Sequence, residues 1–321
     1  MLEIFGPVPS RRLGQSLGVN NIPPKNCTYA CIYCQLGRAI SMSTQRQSFY
    51  SPQRLAQVAK DKVIRLQDQG ITLDYITIVP DGEPTLDIHL LTLITLLKEI
   101  PIPLAIITNG SLVTDNNVAE ALLLADWVSL KVDAYTEKVW RKIDRPCGNL
   151  QHQNMLEGMQ RFATRFHNKA SGKLMTETML IEGVNTESTE QEAVVDFIAT
   201  LNPDTAYLAI PTRPPAVSSV VAASEASLTR TFVLFSEKLP SVEYLVGYEG
   251  NAFSNSGDAR KDLLSITAVH PMREDAVANL LARDKADFSL VDTLIKEHLL
   301  RANIYRGNTY YVRSFSKQQE N

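Results

Sequence analysis

Cys27-Thr-Tyr-Ala-Cys31-Ile-Tyr-Cys34 gathers three of the four cysteines of the chain into one short stretch. A structural zinc site wants four ligands closing a tetrahedron, commonly two CxxC knuckles or a Cys/His set. Here the remaining cysteine, Cys147, is far along the chain and the first histidine is His89. Three thiolates on one loop suit an iron–sulfur cubane instead, which is held by one thiolate per iron. Its fourth iron is then left to water or to a chelating ligand. Ile32 and Tyr33, just before the last cysteine, give such a centre partial apolar cover. The plain alternative is a group of buried free thiols, since cysteine is among the most buried residue types. Three fixed positions weigh against it.

With an aromatic ahead of its third cysteine, CxxxCxxC resembles the signature of the radical S-adenosylmethionine (SAM) superfamily. The run Gly6-Pro-Val-Pro-Ser10-Arg11-Arg12-Leu-Gly14-Gln-Ser-Leu-Gly18-Val-Asn20 is similar to one branch of it, grouped with the wyosine tRNA synthase-like radical SAM proteins. The resemblance implies a partial (β/α)6 barrel and a [4Fe-4S] cluster on Cys27, Cys31 and Cys34, with SAM chelating the open iron. It further implies reductive cleavage of SAM to a 5′-deoxyadenosyl radical, an external electron donor (flavodoxin or ferredoxin), and tRNA or another RNA as substrate. One departure stands out. The wyosine synthases carry a second cluster on additional cysteines, and this chain has only Cys147 to spare, so wyosine synthesis itself does not follow.

With 321 residues the chain can bury a full core and has room for one large and one small domain. No apolar run approaches the length of a membrane span, and the opening Met-Leu-Glu-Ile-Phe-Gly-Pro lacks the layout of a signal peptide. A cytoplasmic protein with reduced cysteines is expected. The net charge of −3 is unevenly spread: Arg11, Arg12, Lys25, Arg38, Arg46, Arg54 and Lys60 face only Glu3 in residues 1–60. Such a basic collar suits a phosphate-bearing partner such as RNA, or is a solvated face balanced by acids elsewhere in the fold.

Between about residues 15 and 215, short apolar runs alternate with helical periodicity, the pattern of repeated β/α units around a parallel sheet. Strands are predicted at Ser16–Asn20, Tyr75–Val79, Leu104–Thr108, Trp127–Asp133, Leu174–Ile181 and Ala206–Ile210. Helices are predicted at Pro52–Gln69, Ile88–Glu99, Asn116–Ala125, Leu150–Phe166 and Thr189–Leu201. A helix at Glu225–Lys238 and a strand at Val242–Val246 follow. The barrel is placed at 1–250, a small domain at 258–315 and a flexible tail at 316–321. In the small domain His270–Arg283 and Ser289–His298 read as helices, and Leu299–Arg313 as a hairpin turning at Gly307-Asn308. That is the outline of a winged helix. Its Lys/Arg and Asp/Glu balance, so docking or capping is expected rather than DNA binding.

Ligands of such barrels collect at the C-terminal ends of the strands. Asp81-Gly82-Glu83-Pro84-Thr85 follows the second predicted strand, and its match to the superfamily's Gly-Gly-Glu-like motif assigns Gly82, Glu83 and Pro84 to the SAM ammonium. In the fourth strand Ser129, Lys131 and Asp133 alternate with Val128, Leu130 and Val132, so the polar three share a face. A strand covered on both sides reads as apolar throughout, so this face points into the barrel, unless the strand is a half-exposed edge. Ser129 and Lys131 are then candidates for the SAM carboxylate or ribose, and Asp133 for substrate or for fixing the lysine. Asn109, in Thr108-Asn-Gly-Ser111, and Tyr33 are further cofactor candidates, and Arg213 a substrate candidate. Thr178, Asn185 and Tyr207 complete the expected mouth, and Cys147 reads as incidental. Two other functions remain open at this level: radical modification of a protein or peptide docked on the small domain, and a non-catalytic iron–sulfur sensor. A sensor has no need of the Gly-Glu-Pro turn or the polar strand.

Overall fold

The computed structural model of the chain describes residues 3–37, 39–169, 171–246, 257–269, 271–305 and 307–314. The tail at 316–321, the end of the segment 1–250, His270 and Arg306 lie outside the described residues.

In chain order the elements are β1 (Ile4–Ser10), β2 (Gly14–Val19), β3 (Asn26–Cys27), β4 (Ser41–Met42), α1 (Pro52–Asp68), β5 (Tyr75–Ile78), α2 (Leu90–Leu97), β6 (Leu104–Thr108), α3 (Asn116–Leu123), β7 (Trp127–Lys131), α4 (Glu137–Ile143), α5 (His152–His167), β8 (Lys173–Met179), α6 (Ser188–Leu201), β9 (Thr205–Ala209), α7 (Glu225–Lys238) and β10 (Val242–Leu245). After these come α8 (Ala259–Val269), β11 (Met272–Arg273), α9 (Glu274–Arg283), α10 (Ser289–Lys296), β12 (Leu300–Tyr305) and β13 (Asn308–Arg313). Strands β1-β2-β5-β6-β7-β8-β9-β10 form one eight-stranded sheet in that order. It is a curled half-barrel, the partial-barrel architecture expected. From β2 to β10 every neighbour is parallel, and β1 joins antiparallel at the β2 edge. The six predicted barrel strands all occur, as does the later strand expected at Val242–Val246, which is β10 at one edge; β1 is added at the other.

Each helix between strands turns an apolar stripe to the sheet. In α1, Ser51 caps the N-terminus by accepting from Arg54 N–H and Pro52 occupies the first turn. Leu55, Ala59, Val63 and Leu66 then recur at helical spacing and are buried. Met155, Met159, Phe162 and Phe166 do the same in α5. These faces join Ile76, Ile78, Val128, Leu130 and Leu208 in the large core outside the sheet.

The sheet's other face lines the barrel interior. Ala105, Trp127, Met175, Tyr207 and Leu245 meet there around Leu13. Leu13 comes from the turn between β1 and β2, which therefore plugs the barrel rather than merely leading into it. Neither β1 nor this plug is among the predicted elements, because a Pro- and Gly-rich segment carries no alternation to read. Helix α4 is also new; it is short, and Thr136 caps it by accepting from Val139 N–H.

Residues 259–313 build a second core of Leu263, Ile266, Met272, Leu280, Val291 and Leu300. The two predicted helices and the hairpin are there, with two differences. Helix α8 precedes them, and the helix expected from His270 begins only at Glu274. Met272 and Arg273 instead form a strand on Tyr311 and Tyr310, completing a sheet ordered β11-β13-β12.

Candidate active site

The cysteine loop lies across the C-terminal ends of β2, β5, β6 and β7 and is fastened from several sides. Asn26 pairs with Gly82, and Glu83 N–H donates to Asn26 O at 3.0 Å. A Cβ on Gly82 would stand 1.9 Å from that carbonyl oxygen, so only glycine lets the two backbones approach. Asn109 Nδ2 donates to Thr28 Oγ1 at 2.8 Å and faces Cys27 Sγ at 3.8 Å. On the far side Ile32 N–H donates to Ile143 O at 2.9 Å and Ala30 N–H to Asp144 O at 3.0 Å, both at the end of α4. Cys147 contributes its backbone, donating to Thr28 O at 2.8 Å.

Cys27, Cys31 and Cys34 all open onto one cavity of about 270 Å³. Tyr33, Gly82, Glu83, Asn109, Lys131 and Arg213 share its wall, so most of the residues singled out from sequence converge there. Arg11, Arg12, Gln35 and Glu177 line it as well. In the sequence Arg11 and Arg12 stand out as part of the Gly6–Asn20 run and of the basic collar but not as site residues, and Glu177 does not stand out at all. The available signal for Glu177 was a lone acid in phase with Met175 and Met179 on a buried strand.

Charge inside the barrel is tightly paired. Glu177 accepts from Lys131 Nζ at 2.8 Å and pairs with Arg12. Burial works against its charge, but Lys131 and Arg12 outweigh it and hold the carboxyl down at about 2. Glu83 is 1% exposed. It accepts from Thr85 N–H and from the Thr85 and Thr108 hydroxyls at Oε1, and from Asn109 N–H at Oε2. Those bonds tie the turn after β5 to the end of β6. Burial still pushes Glu83 up, and pushes Asp81 up to about 7 against the opposing charge of Lys25.

Behind the loop, Tyr33 donates its hydroxyl to Asp133, and Cys31 Sγ lies 3.3 Å from Asp144 Oδ1. Asp133 also accepts from Met179 N–H at 2.7 Å and is absent from the cavity wall. Ser129 is fully buried below the cavity, its hydroxyl without a partner among the described residues. Pro84 is buried in the turn after β5. Thr178 donates to Val132 O on the outer face, Asn185 bonds the Asp133 and Met179 carbonyls, and Tyr207 packs in the floor.

Burial raises the pKa of all three cavity thiols. A coordinating metal reverses that preference, since it deprotonates a thiol outright. Among the described residues no three His, Cys, Asp or Glu side chains are gathered to hold a single metal ion. In a cubane each thiolate binds a different iron, so its ligands stand around a cluster rather than at one point. Three sulfurs on one cavity wall, with Asn109 Nδ2 turned to one of them, fit that arrangement. Among the described residues no helix is long and apolar enough to cross a membrane.

The sequence profile of the radical SAM superfamily matches residues 21–193. A UPF0026 protein of Methanocaldococcus jannaschii is 38% identical over 100% of this chain and 99% of its own. A Brachyspira hyodysenteriae protein named GTPase Obg is 35% identical over 66% of this chain, which spans only 30% of that protein's length. Among solved structures, TYW1 with a lysine–pyruvate adduct bound superposes with a TM-score of 0.52 at 14% identity, covering 70% of this chain and 74% of its own. At that identity the likeness shows the fold alone.

Proposed function

This chain belongs to the radical SAM superfamily, whose members bind a [4Fe-4S] cluster and SAM, and from that premise we propose that it is an enzyme directing radical chemistry at RNA, with tRNA as the first substrate to test. One observation carries the reading: the three cysteines, the Gly82-Glu83 turn and Asn109 converge on one cavity at the C-terminal ends of parallel strands. When bound, the cluster supplies the electron that cleaves the sulfonium–C5′ bond of SAM, releasing the 5′-deoxyadenosyl radical that takes a hydrogen atom from substrate. The protein's part is to position and to shield.

Cys27, Cys31 and Cys34 hold the cluster. The Asp81–Pro84 turn offers backbone carbonyls to the SAM ammonium, and Glu83 keeps that turn fixed against Thr108 and Asn109. Lys131, oriented by Glu177, faces the cofactor's carboxylate or ribose. Tyr33, Leu36, Ile107 and Met179 supply the apolar part of the wall that keeps water from the reacting carbon. Toward the substrate the wall carries Arg11, Arg12, Lys131 and Arg213 against two carboxylates, Glu83 and Glu177; Glu177 is shared by Arg12 and Lys131, which leaves four cations to two acids. That imbalance favours an anionic substrate. Enzymes of this family need an electron donor, and flavodoxin or ferredoxin fills that part.

Anaerobic reconstitution with iron and sulfide, reduction with dithionite and assay for 5′-deoxyadenosine test the chemistry. Product in the presence of SAM, rising when unfractionated tRNA is added, is expected. Colourless zinc-loaded protein with no 5′-deoxyadenosine would sink the reading. Stimulation by cell protein instead of tRNA would replace the substrate class.

A further inference from the structure

Beside the cavity lies a second groove, of about 590 Å³. One wall is the barrel's: Lys25, Gln35 and Gly37 from the cysteine loop, and Pro214 and Pro215 from the loop after β9. The other is strand β12, where Arg301, Asn303 and Tyr305, two apart, share a face. The groove and the cavity meet at Gln35, which lines both and accepts from Arg213 Nη1. Among the described residues, two hydrogen bonds tie the hairpin to the loop after β9. Tyr305 donates to Pro211 O and Tyr310 to Thr212 O, each at 3.1 Å. The small C-terminal unit is thus fastened to the very loop that carries Arg213 into the cavity.

The groove's chemistry is one-sided. Among the described residues no carboxylate lines it, whereas Lys25, with Asp81 as an acidic neighbour outside the groove, and Arg301 do. Lys25 Nζ and Arg301 Nη2 each stand 3.3 Å from the point that a Cβ of Gly37 would occupy. Two cationic heads therefore converge over a residue with no side chain, at φ +88°, a conformation other residues rarely adopt. Asn303, Gln35 and Ser218 offer hydrogen bonds, and Tyr305 and the prolines offer flat apolar surface.

We propose that this groove carries the backbone of an RNA strand, with a phosphate seated between Lys25 and Arg301 over Gly37 and a neighbouring nucleotide turned into the cysteine-lined cavity. A phosphate takes charge-assisted bonds from both cations, and stacking on tyrosine tolerates any base. The C-terminal unit is then half of the substrate site rather than an appendage. Its own charge balance is no obstacle, because the field that matters is set jointly by β12 and the cysteine loop. The inference rests on the RNA-directed reading above.

The test uses the full-length reconstituted protein under anaerobic conditions and fluorescently labelled unfractionated tRNA, with affinity measured across a potassium chloride series. Arg301→Glu is expected to weaken binding roughly tenfold or more, and Arg301→Ala to reduce the slope of log K against log salt by about one, with Arg301→Lys close to wild type. Uncoupled 5′-deoxyadenosine formation without RNA should be unchanged in all three, since Arg301 lines the groove and not the cavity. An unaltered melting temperature excludes misfolding as the cause, which is expected because Arg301 is exposed. Wild-type affinity and salt slope in Arg301→Glu would overturn the proposal, as would failure of the wild-type protein to bind tRNA. Absence of uncoupled 5′-deoxyadenosine in the wild type would strike the radical chemistry alone and leave the binding result to judge the groove.

Discussion

The two ends of the barrel interior are built from the same strands yet differ in kind. At the floor, Trp127, Met175, Tyr207 and Leu245 close around Leu13 in apolar contact. At the mouth, Glu177 pairs with both Lys131 and Arg12 beside three thiols. On β7 the change takes place along one inward row. Trp127, Ser129 and Lys131 alternate inward, each step rising about 6.6 Å, and pass from a packed indole through a buried hydroxyl to an ion-paired ammonium. Strand parity decides which residues face inward, and height along the strand decides whether they pack or do chemistry. Floor substitutions should therefore cost stability and spare the cofactors, while mouth substitutions should do the reverse.

The largest expected effect is at the mouth. Cys31→Ala should abolish the cluster absorbance of reconstituted protein and bring 5′-deoxyadenosine to background, with little change in the unfolding midpoint of the unreconstituted chain. Retention of a full, active cluster would break the contrast. At the floor, Trp127→Ala should cost about 3–5 kcal/mol in denaturant unfolding, yet still take up iron and sulfide at low temperature in the wild-type ratio.

Glu177 stands between the two ends, and its replacement should touch both. Glu177→Gln leaves Lys131 and Arg12 without their carboxylate, at a cost of about 2–3 kcal/mol, below the usual range for a fully buried pair because the cavity admits solvent. The pH dependence gives a sharper readout. In the folded chain the carboxyl titrates at about 2, against an ordinary 4.5. Its contribution is therefore complete above the unfolded value and lost as pH falls from there toward 2. Wild type should lose on the order of 3 kcal/mol across that window in excess of Glu177→Gln. Parallel acid-denaturation profiles would show that the pairing is not stabilising.

The smallest effect is assigned to Ser129. Removing a buried hydroxyl that has no partner among the described residues should leave stability unchanged or raise it by up to about 1 kcal/mol. SAM affinity of Ser129→Ala, measured on the reconstituted protein, should stay within about twofold of wild type. A tenfold loss would move the boundary between floor and mouth down one step of the strand.

The cysteine loop, the Gly82-Glu83 turn and the polar face of β7 were legible because each is a local pattern: fixed spacings on one loop, a turn after an apolar run, alternation within a strand. The β1–β2 plug was not, since Leu13 and Arg12 acquire meaning only inside a barrel that later residues build. Strand β11 was read as helix for the same reason. Met272 and Arg273 are extended because Tyr311 and Tyr310 lie beside them, and no short stretch of sequence announces a partner so distant.

The order of residues along the chain was enough to determine the clustering of three thiols on one loop, the repeat of strand and helix, and which side chains of a strand share a face, because these depend on chain neighbours and on the period of the backbone. Tertiary structure alone decided that Arg12 meets Glu177 across 165 residues, that Leu13 seals the floor, and that a C-terminal strand forms one wall of the groove at the mouth. Such contacts are fixed by the closure of the sheet and the packing of separate cores, which no local spacing encodes.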